Sequence, residues 1–322
     1  MKKSIGLLTV MFLFVAMNVL ATEVVFSGQV NGQFDLFRCN LEDGKIVRLT
    51  DTKADELMPS VSPDGKKIVF VSDRQGANSL YLAELNNIAA ASYISAGIGA
   101  YANPVFSPDG SKIMAQYAPD PEEQFKNTKI VILDPATKSQ VVVIDSKLLN
   151  VPDNSETILM VDRPVWVSES IFVYVLAEMT DEISGRITRS TLYMFDMKNR
   201  KSIRMGGGES YFTDEGRSMG FKAAMPKLIA GQQSAKVLSF VAIRGAVDRQ
   251  PMSLSLSGSG KGPLAIKDQS FFGPVLYDGK TWVYGTMDNN GITGLSYLSD
   301  INEPPQRLGF PGRIIYPELI SP

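Results

Sequence analysis

The chain has 322 residues, and at roughly 100–200 residues per domain that leaves room for one large domain or two small ones. Its 32 Lys+Arg against 34 Asp+Glu give a net charge of −2, which rules out the counterion-release affinity of a nucleic-acid binder. There is no histidine, so Ser–His–Asp and Cys–His nucleophiles, His-ligated zinc and an imidazole base are all excluded. One cysteine, Cys39, allows neither an intrachain disulfide nor a Cys₄ zinc site, while 44% apolar residues supply a core.

Met1-Lys2-Lys3 is a basic start, followed by an apolar run from Ile5 to Met17 and by Val19-Leu20-Ala21. Residues 1–21 therefore read as a secretory signal peptide cut after Ala21. The competing reading is an uncleaved membrane anchor, because the run approaches a spanning length. Either way the remainder is expected to be periplasmic or secreted, with no stable membrane span once the leader is removed.

The body, residues 22–322, is organised by a repeat. Pro59-Ser-Val-Ser-Pro-Asp-Gly-Lys-Lys-Ile-Val-Phe-Val-Ser72 and Pro104-Val-Phe-Ser-Pro-Asp-Gly-Ser-Lys-Ile-Met114 are two plain copies. In each, Pro63 or Pro108 presets φ at the turn. Asp64 or Asp109 bonds nearby backbone, and Gly65 or Gly110 takes the positive φ that closes a hairpin. These six residues are structural turn positions; repetition at equivalent turns argues against reading the aspartates as acid catalysts. Weaker copies begin at Pro164, Pro226, Pro274 and Pro317, so the leading proline recurs at spacings of 45, 60, 62, 48 and 43 residues. Third strands follow at Leu80–Leu85, Lys129–Asp134, Thr191–Asp196 and Leu295–Ser299, and fourth strands at Val141–Asp145 and Lys201–Arg204.

Four short strands repeating with this period predict a β-propeller. The chain opens on strands two to four (Glu23–Ser27, Phe34–Asn40, Lys45–Thr50) and closes on a first strand, Ile315–Ile320. The C-terminal strand is thus expected to complete the N-terminal blade and remove the open edges. The expected fold is all-β: six four-stranded antiparallel blades in a closed ring.

The Leu49-Thr50 pair, the Ser-Pro-Asp-Gly hairpins and Val71-Ser72-Asp73-Arg74-Gln75-Gly76 resemble the WD40-like PD40 repeat of the TolB-like propeller family. The strong match covers roughly residues 45–135. The resemblance implies a secreted TolB-like propeller without the extra α/β domain that precedes the propeller in TolB; a Tol–Pal role does not carry over with it. Similar propellers precede prolyl-oligopeptidase-type hydrolases, yet no hydrolase domain is expected here.

Other motifs favour structure over chemistry. Tyr277-Asp-Gly-Lys-Thr-Trp282 has the wrong spacing for a sialidase Asp-box and reads as a blade hairpin with Trp282 in the core. Asp288-Asn-Asn-Gly291 reads as a hairpin turn, since no bidentate Glu follows at the calcium-loop distance. Gly206-Gly-Gly208 lacks the Lys-Ser/Thr of a phosphate loop. Cys39 reads as a small buried apolar residue. No catalytic residue, metal ligand or cofactor is assigned, and a channel ion such as calcium is left open.

The uneven spacings carry the functional signal. The extra residues fall in Ala118–Thr128, Lys147–Asp162, Ala177–Ser190 and Gly207–Phe221. By strand order all four emerge on one face of the disc. Loops on a rigid scaffold are where binding resides, and these carry Glu122, Glu123, Phe125, Tyr211, Phe212, Asp214, Glu215 and Arg217, an acidic set with aromatic and arginine anchors. Tolerated surface drift is the competing explanation. The expectation is a monomeric, non-enzymatic binding or scaffold protein with a protein partner in the cell envelope. Its competitor is a glycosidase-like enzyme at the channel mouth, which needs two facing carboxylates about 5–9.5 Å apart.

Overall fold

The structure is a computed structural model that describes residues 22–122, 126–149, 157–179, 187–212, 218–230, 236–245, 248–256 and 260–320. Strands β1 (Glu23–Val30), β2 (Gln33–Asn40) and β3 (Ile46–Arg48) belong to the first blade. The second blade is β4 (Glu56–Val61), β5 (Lys67–Ser72), β6 (Ser79–Glu84) and β7 (Asn87–Tyr93). The third is β8 (Ala100–Phe106), β9 (Ile113–Ala118), β10 (Lys129–Asp134) and β11 (Ser139–Asp145). The fourth is β12 (Ile158–Ser168), β13 (Ile171–Met179), β14 (Ile187–Asp196), β15 (Lys201–Phe212) and β16 (Ser218–Gly220). The fifth is β17 (Lys222–Ala230), β18 (Lys236–Arg244), β19 (Asp248–Ser255) and β20 (Lys261–Pro263). The sixth is β21 (Phe271–Tyr277), β22 (Trp282–Met287), β23 (Thr293–Leu298) and β24 (Gln306–Arg307). β25 (Arg313–Ile320) then returns to pair with β1, giving the first sheet the order β25-β1-β2-β3.

Each sheet is antiparallel, and the first strand of each blade packs on the first strand of the next, from β25 through β4, β8, β12, β17 and β21 back to β25. The fold is therefore the closed six-bladed propeller that the proline spacing predicts. The core lies in the seams between blades. Val69, Leu80, Tyr101 and Val131 fill the seam of blades two and three, and Val173, Leu192, Phe240 and Met252 that of blades four and five. Central strands such as β5 are covered on both faces and are apolar along nearly their whole length.

Two particulars differ from the sequence reading. Blade four has five strands, because residues expected as loop continue the sheet: Ile158–Asp162 lies in β12, Ala177–Met179 in β13, Ile187–Ser190 in β14 and Gly207–Phe212 in β15. Trp282 is half-buried instead of central. It stacks on Tyr277 at 4.1 Å, a cross-strand pair flanking the hairpin, while Val283 and Tyr284 take the core positions.

The Ser-Pro-Asp-Gly turns close the lower end of the ring. Gly65 N–H donates to Ser62 O (2.9 Å) and Gly110 N–H to Ser107 O (2.8 Å). Asp64 Oδ1 accepts from Ser62 Oγ at 2.6 Å and Asp109 Oδ1 from Ser107 Oγ at 2.6 Å. Those hydroxyls are the first cause of both carboxyls titrating below the usual range. At 288–291 the same logic holds: Asp288 Oδ1 accepts from Asn290 N and Ile292 N, and Gly291 has φ 75°.

Candidate functional site

The innermost strand of a propeller blade has no partner on its axial side, so proline, which has no N–H to leave unsatisfied, suits it. The six register prolines all occupy these strands, and each sits in a β-bulge. Met58-Pro59 oppose the single residue Phe70, Asn103-Pro104 oppose Ala115, and Arg163-Pro164 oppose Tyr174. Met225-Pro226 oppose Phe240, and Tyr316-Pro317 oppose Phe26. In blade six the bulge is one residue longer: Phe272, Gly273 and Pro274 oppose Gly285. A Cβ on Gly285 would overlap the carbonyl of Gly273, so only glycine fits there.

The residue before every one of these prolines has positive φ: 52° at Met58, 49° at Asn103, 48° at Arg163, 51° at Met225, 97° at Gly273 and 50° at Tyr316. Five of the six are not glycine, and left-handed backbone is costly for such residues, more so ahead of proline. The ring of bulges therefore stores backbone strain around the axis, at a place where such strain commonly marks function. The proline spacing located these positions; nothing in the sequence announced their backbone geometry.

The bulges surround a cavity of about 410 Å³, lined among others by Met58, Asn103, Arg163, Met225, Phe272 and Tyr316. Polar side chains cross it. Lys227 Nζ of blade five meets Glu318 Oε2 of the clasp strand at 2.5 Å, an ion pair between blades that are not neighbours. Asp162 Oδ1 accepts from Asn103 Nδ2 at 2.6 Å and from Arg163 N at 2.7 Å, and its other oxygen lies 3.3 Å from Arg163 Nε. Burial raises the Tyr316 hydroxyl pKa above its ordinary value; Arg163 opposes that rise and Asp162 adds to it. Tyr316 is on blade one, so this coupling also spans the ring. Among the described residues two carboxylates line the cavity and both are engaged: Glu318 by Lys227, and Asp278 by Thr22 Oγ1 (2.9 Å), Lys280 N and Thr281 N.

The described ends of all four inserted segments lie at the upper end, opposite the Ser-Pro-Asp-Gly turns. Blade four has long strands there: β12 to β15 are 11, 9, 10 and 12 residues long, against 7, 6, 6 and 7 in blade three and 9, 9, 8 and 3 in blade five. The extension has its own apolar filling of Met160, Ala177 and Met179, with Ile158 and Ile187 packed on them. β15 folds back into β16 through the pairs Ser210–Gly220, Tyr211–Met219 and Phe212–Ser218. Gly207 (φ 93°) sits where a Cβ would press on Ser190 O and Ala223.

Among the sequence-selected binding residues, Glu122 is exposed in the rim of blade three, its N–H donating to Asp120 Oδ1 at 2.9 Å. Tyr211 and Phe212 end β15, and their backbone is described. Glu123, Phe125, Asp214, Glu215 and Arg217 lie outside the described residues. Cys39 is buried in the seam of blades six and one, and burial, with Asp43 and Glu23, pushes its thiol up to about 11. Among the described residues no group of three or more Asp, Glu and Cys is arranged to hold a metal. No helix among them is long and apolar enough to cross a membrane.

Fold and axial geometry together define a closed six-bladed propeller built on proline-marked bulges. Residues 20–161 match the family model described as the TolB beta propeller domain, PD40. Over that stretch the chain is similar to TolB-like, PD40-repeat propellers. It is 31% identical over 78 residues to a protein TolB homolog of Chlorobaculum tepidum, a match spanning 24% of this chain and 17% of that protein. The crystal structure of TolB from Acinetobacter baumannii superposes with a TM-score of 0.65 at 16% identity, over 94% of this chain and 67% of that one. A puromycin-hydrolyzing peptidase of Mycobacterium tuberculosis has a TM-score of 0.55 at 14% identity, over 89% of this chain and 42% of that one. At such identities the structural likenesses establish the fold.

Proposed function

We propose that this chain is an exported envelope protein, periplasmic or secreted, that acts as a binding module or scaffold for a protein partner. The partner docks at the upper end of the propeller, on the raised wall of blade four and the adjoining rim of blades three and five. One observation carries this reading: the insertion in blade four is a sheet extension with its own apolar filling, where tolerated drift would produce loops. Rigid, pre-formed surface lowers the entropic cost of association.

Binding also suits the axis better than catalysis does. Among the described residues, the carboxylates lining the cavity are each held by a cation or by turn hydrogen bonds, leaving no free pair there for acid–base work on a glycoside. In the peptidase with this fold, the matched propeller accounts for 42% of the chain. The test compares the mature protein with a variant in which residues 209–220 are replaced by a two-residue turn, both used for affinity capture from envelope extract. A protein retained by the first and lost from the second, with both showing the same circular dichroism, supports the docking face. Equal capture by both overturns it.

A further inference from the structure

An arginine that is partly withdrawn from water needs an acceptor, because an unpaired desolvated charge is costly. Among the described residues four arginines are half-buried: Arg38, Arg163, Arg244 and Arg249. Arg38 binds Glu23, Arg163 binds Asp162, and Arg244 Nη1 donates to Gln250 Oε1 at 2.6 Å. Arg249 has no carboxylate and no hydrogen-bond acceptor among the described residues. It lies over an aromatic ring instead, its Cζ 4.1 Å from the centroid of Phe272. Burial alone lowers its pKa, with no neighbouring carboxylate to offset it.

The position gives this anomaly its meaning. Arg249 stands at the upper start of β19, beside the connection from β18. Phe272 is in the long bulge of blade six and lines the axial cavity. With its Cζ over the Phe272 ring and no acceptor among the described residues, the guanidinium keeps its N–H donors, the part that binds oxyanions bidentately, unspent. Two residues that line the cavity, Trp166 of blade four and Thr293 of blade six, also carry buried polar atoms with no partner.

We propose that Arg249, held over Phe272, is the anchor of a carboxylate-binding subsite at the upper mouth of the channel, between blades five and six. A single guanidinium matches a monoanionic carboxylate in charge and in the two oxygens it presents. The carboxylate belongs either to a small free acid or to the terminus or acidic side chain of a bound polypeptide. The subsite does not depend on the docking role of the blade-four wall, which lies on the other side of blade five.

The test uses the mature protein and two variants, Arg249→Gln and Arg249→Met. Thermal midpoints are measured against rising sodium acetate, with sodium chloride at equal ionic strength as control. The wild type gains a saturable rise over chloride and Arg249→Gln does not. Without any ligand, Arg249→Met melts higher than the wild type, because an uncharged chain on Phe272 removes an unpaired desolvated charge. A lower midpoint for Arg249→Met, no acetate-specific rise in the wild type, or equal rises in wild type and Arg249→Gln each overturn the subsite. A second arm compares a short peptide ending in a free carboxylate with its amide. Preference for the acid, lost roughly tenfold or more in Arg249→Gln, identifies a polypeptide source. Acetate binding with no preference between acid and amide identifies a small acid. Failure of the wall-shortened variant to capture its partner leaves these readings unaffected.

Discussion

Gly285 shows how one residue answers to another's geometry. It opposes a bulge of three residues where the other blades have two, and the carbonyl of Gly273 occupies the space of its missing Cβ. Gly285→Ala is expected to lower stability by about 3 kcal/mol, read as a shift of the urea midpoint, because buried backbone cannot move aside cheaply. Glu56 poses an electrostatic version of the same question. It is fully buried at the start of β4, with Arg74 Nη2 2.6 Å from Oε1, Thr52 Oγ1 donating at 2.8 Å, and Oε2 without a partner. Burial outweighs these bonds and raises its pKa above 4.5. Between 4.5 and that raised value the folded state holds more protons than the unfolded one, so this group lowers stability as pH climbs through that window, and the loss persists above it. Glu56→Gln keeps the acceptor on Oε1 and removes the proton. Urea midpoints from pH 4 to 8 are expected to lose that slope in the variant; identical profiles would assign the slope to another group.

At the scale of elements, the clasp strand β25 does more than complete blade one. Its Glu318 reaches Lys227 across the channel, with the two side chains 22% and 27% exposed. A double-mutant cycle of Lys227→Met and Glu318→Gln is expected to give a coupling of about 1 kcal/mol at low salt, shrinking in 1 M NaCl. A coupling near zero would make the pair incidental to closure. The clasp itself was legible in the sequence, because its apolar strand had no successors and the first blade lacked a first strand. The wall of blade four was not. Its residues carry Gly206-Gly-Gly208 and scattered charges, which read as loop, and they become strand because β12 to β15 extend together and enclose Met160, Ala177 and Met179. Strand pairing there is decided by partners distant in sequence.

For the whole molecule, ring closure joins six seams into one cooperative unit. Truncation before Arg313 removes β25, exposes the edge of β1 and opens the seam that holds Ile314. The truncated chain is expected to lose its single cooperative melt, seen as a broadened transition in circular dichroism; an unchanged sharp transition would show the blade-one clasp to be dispensable.

Blade number, blade order and the clasp were determined by the sequence alone, because hairpin turns and proline spacing are local signals repeated along the chain. The tertiary structure decided what those signals surround. Six prolines far apart in sequence converge on one axis, the residues before them are forced into left-handed backbone, and Arg249 comes to rest on a phenylalanine of the next blade. None of this has a local signature, since strain, burial and the absence of an acceptor exist only once distant segments meet.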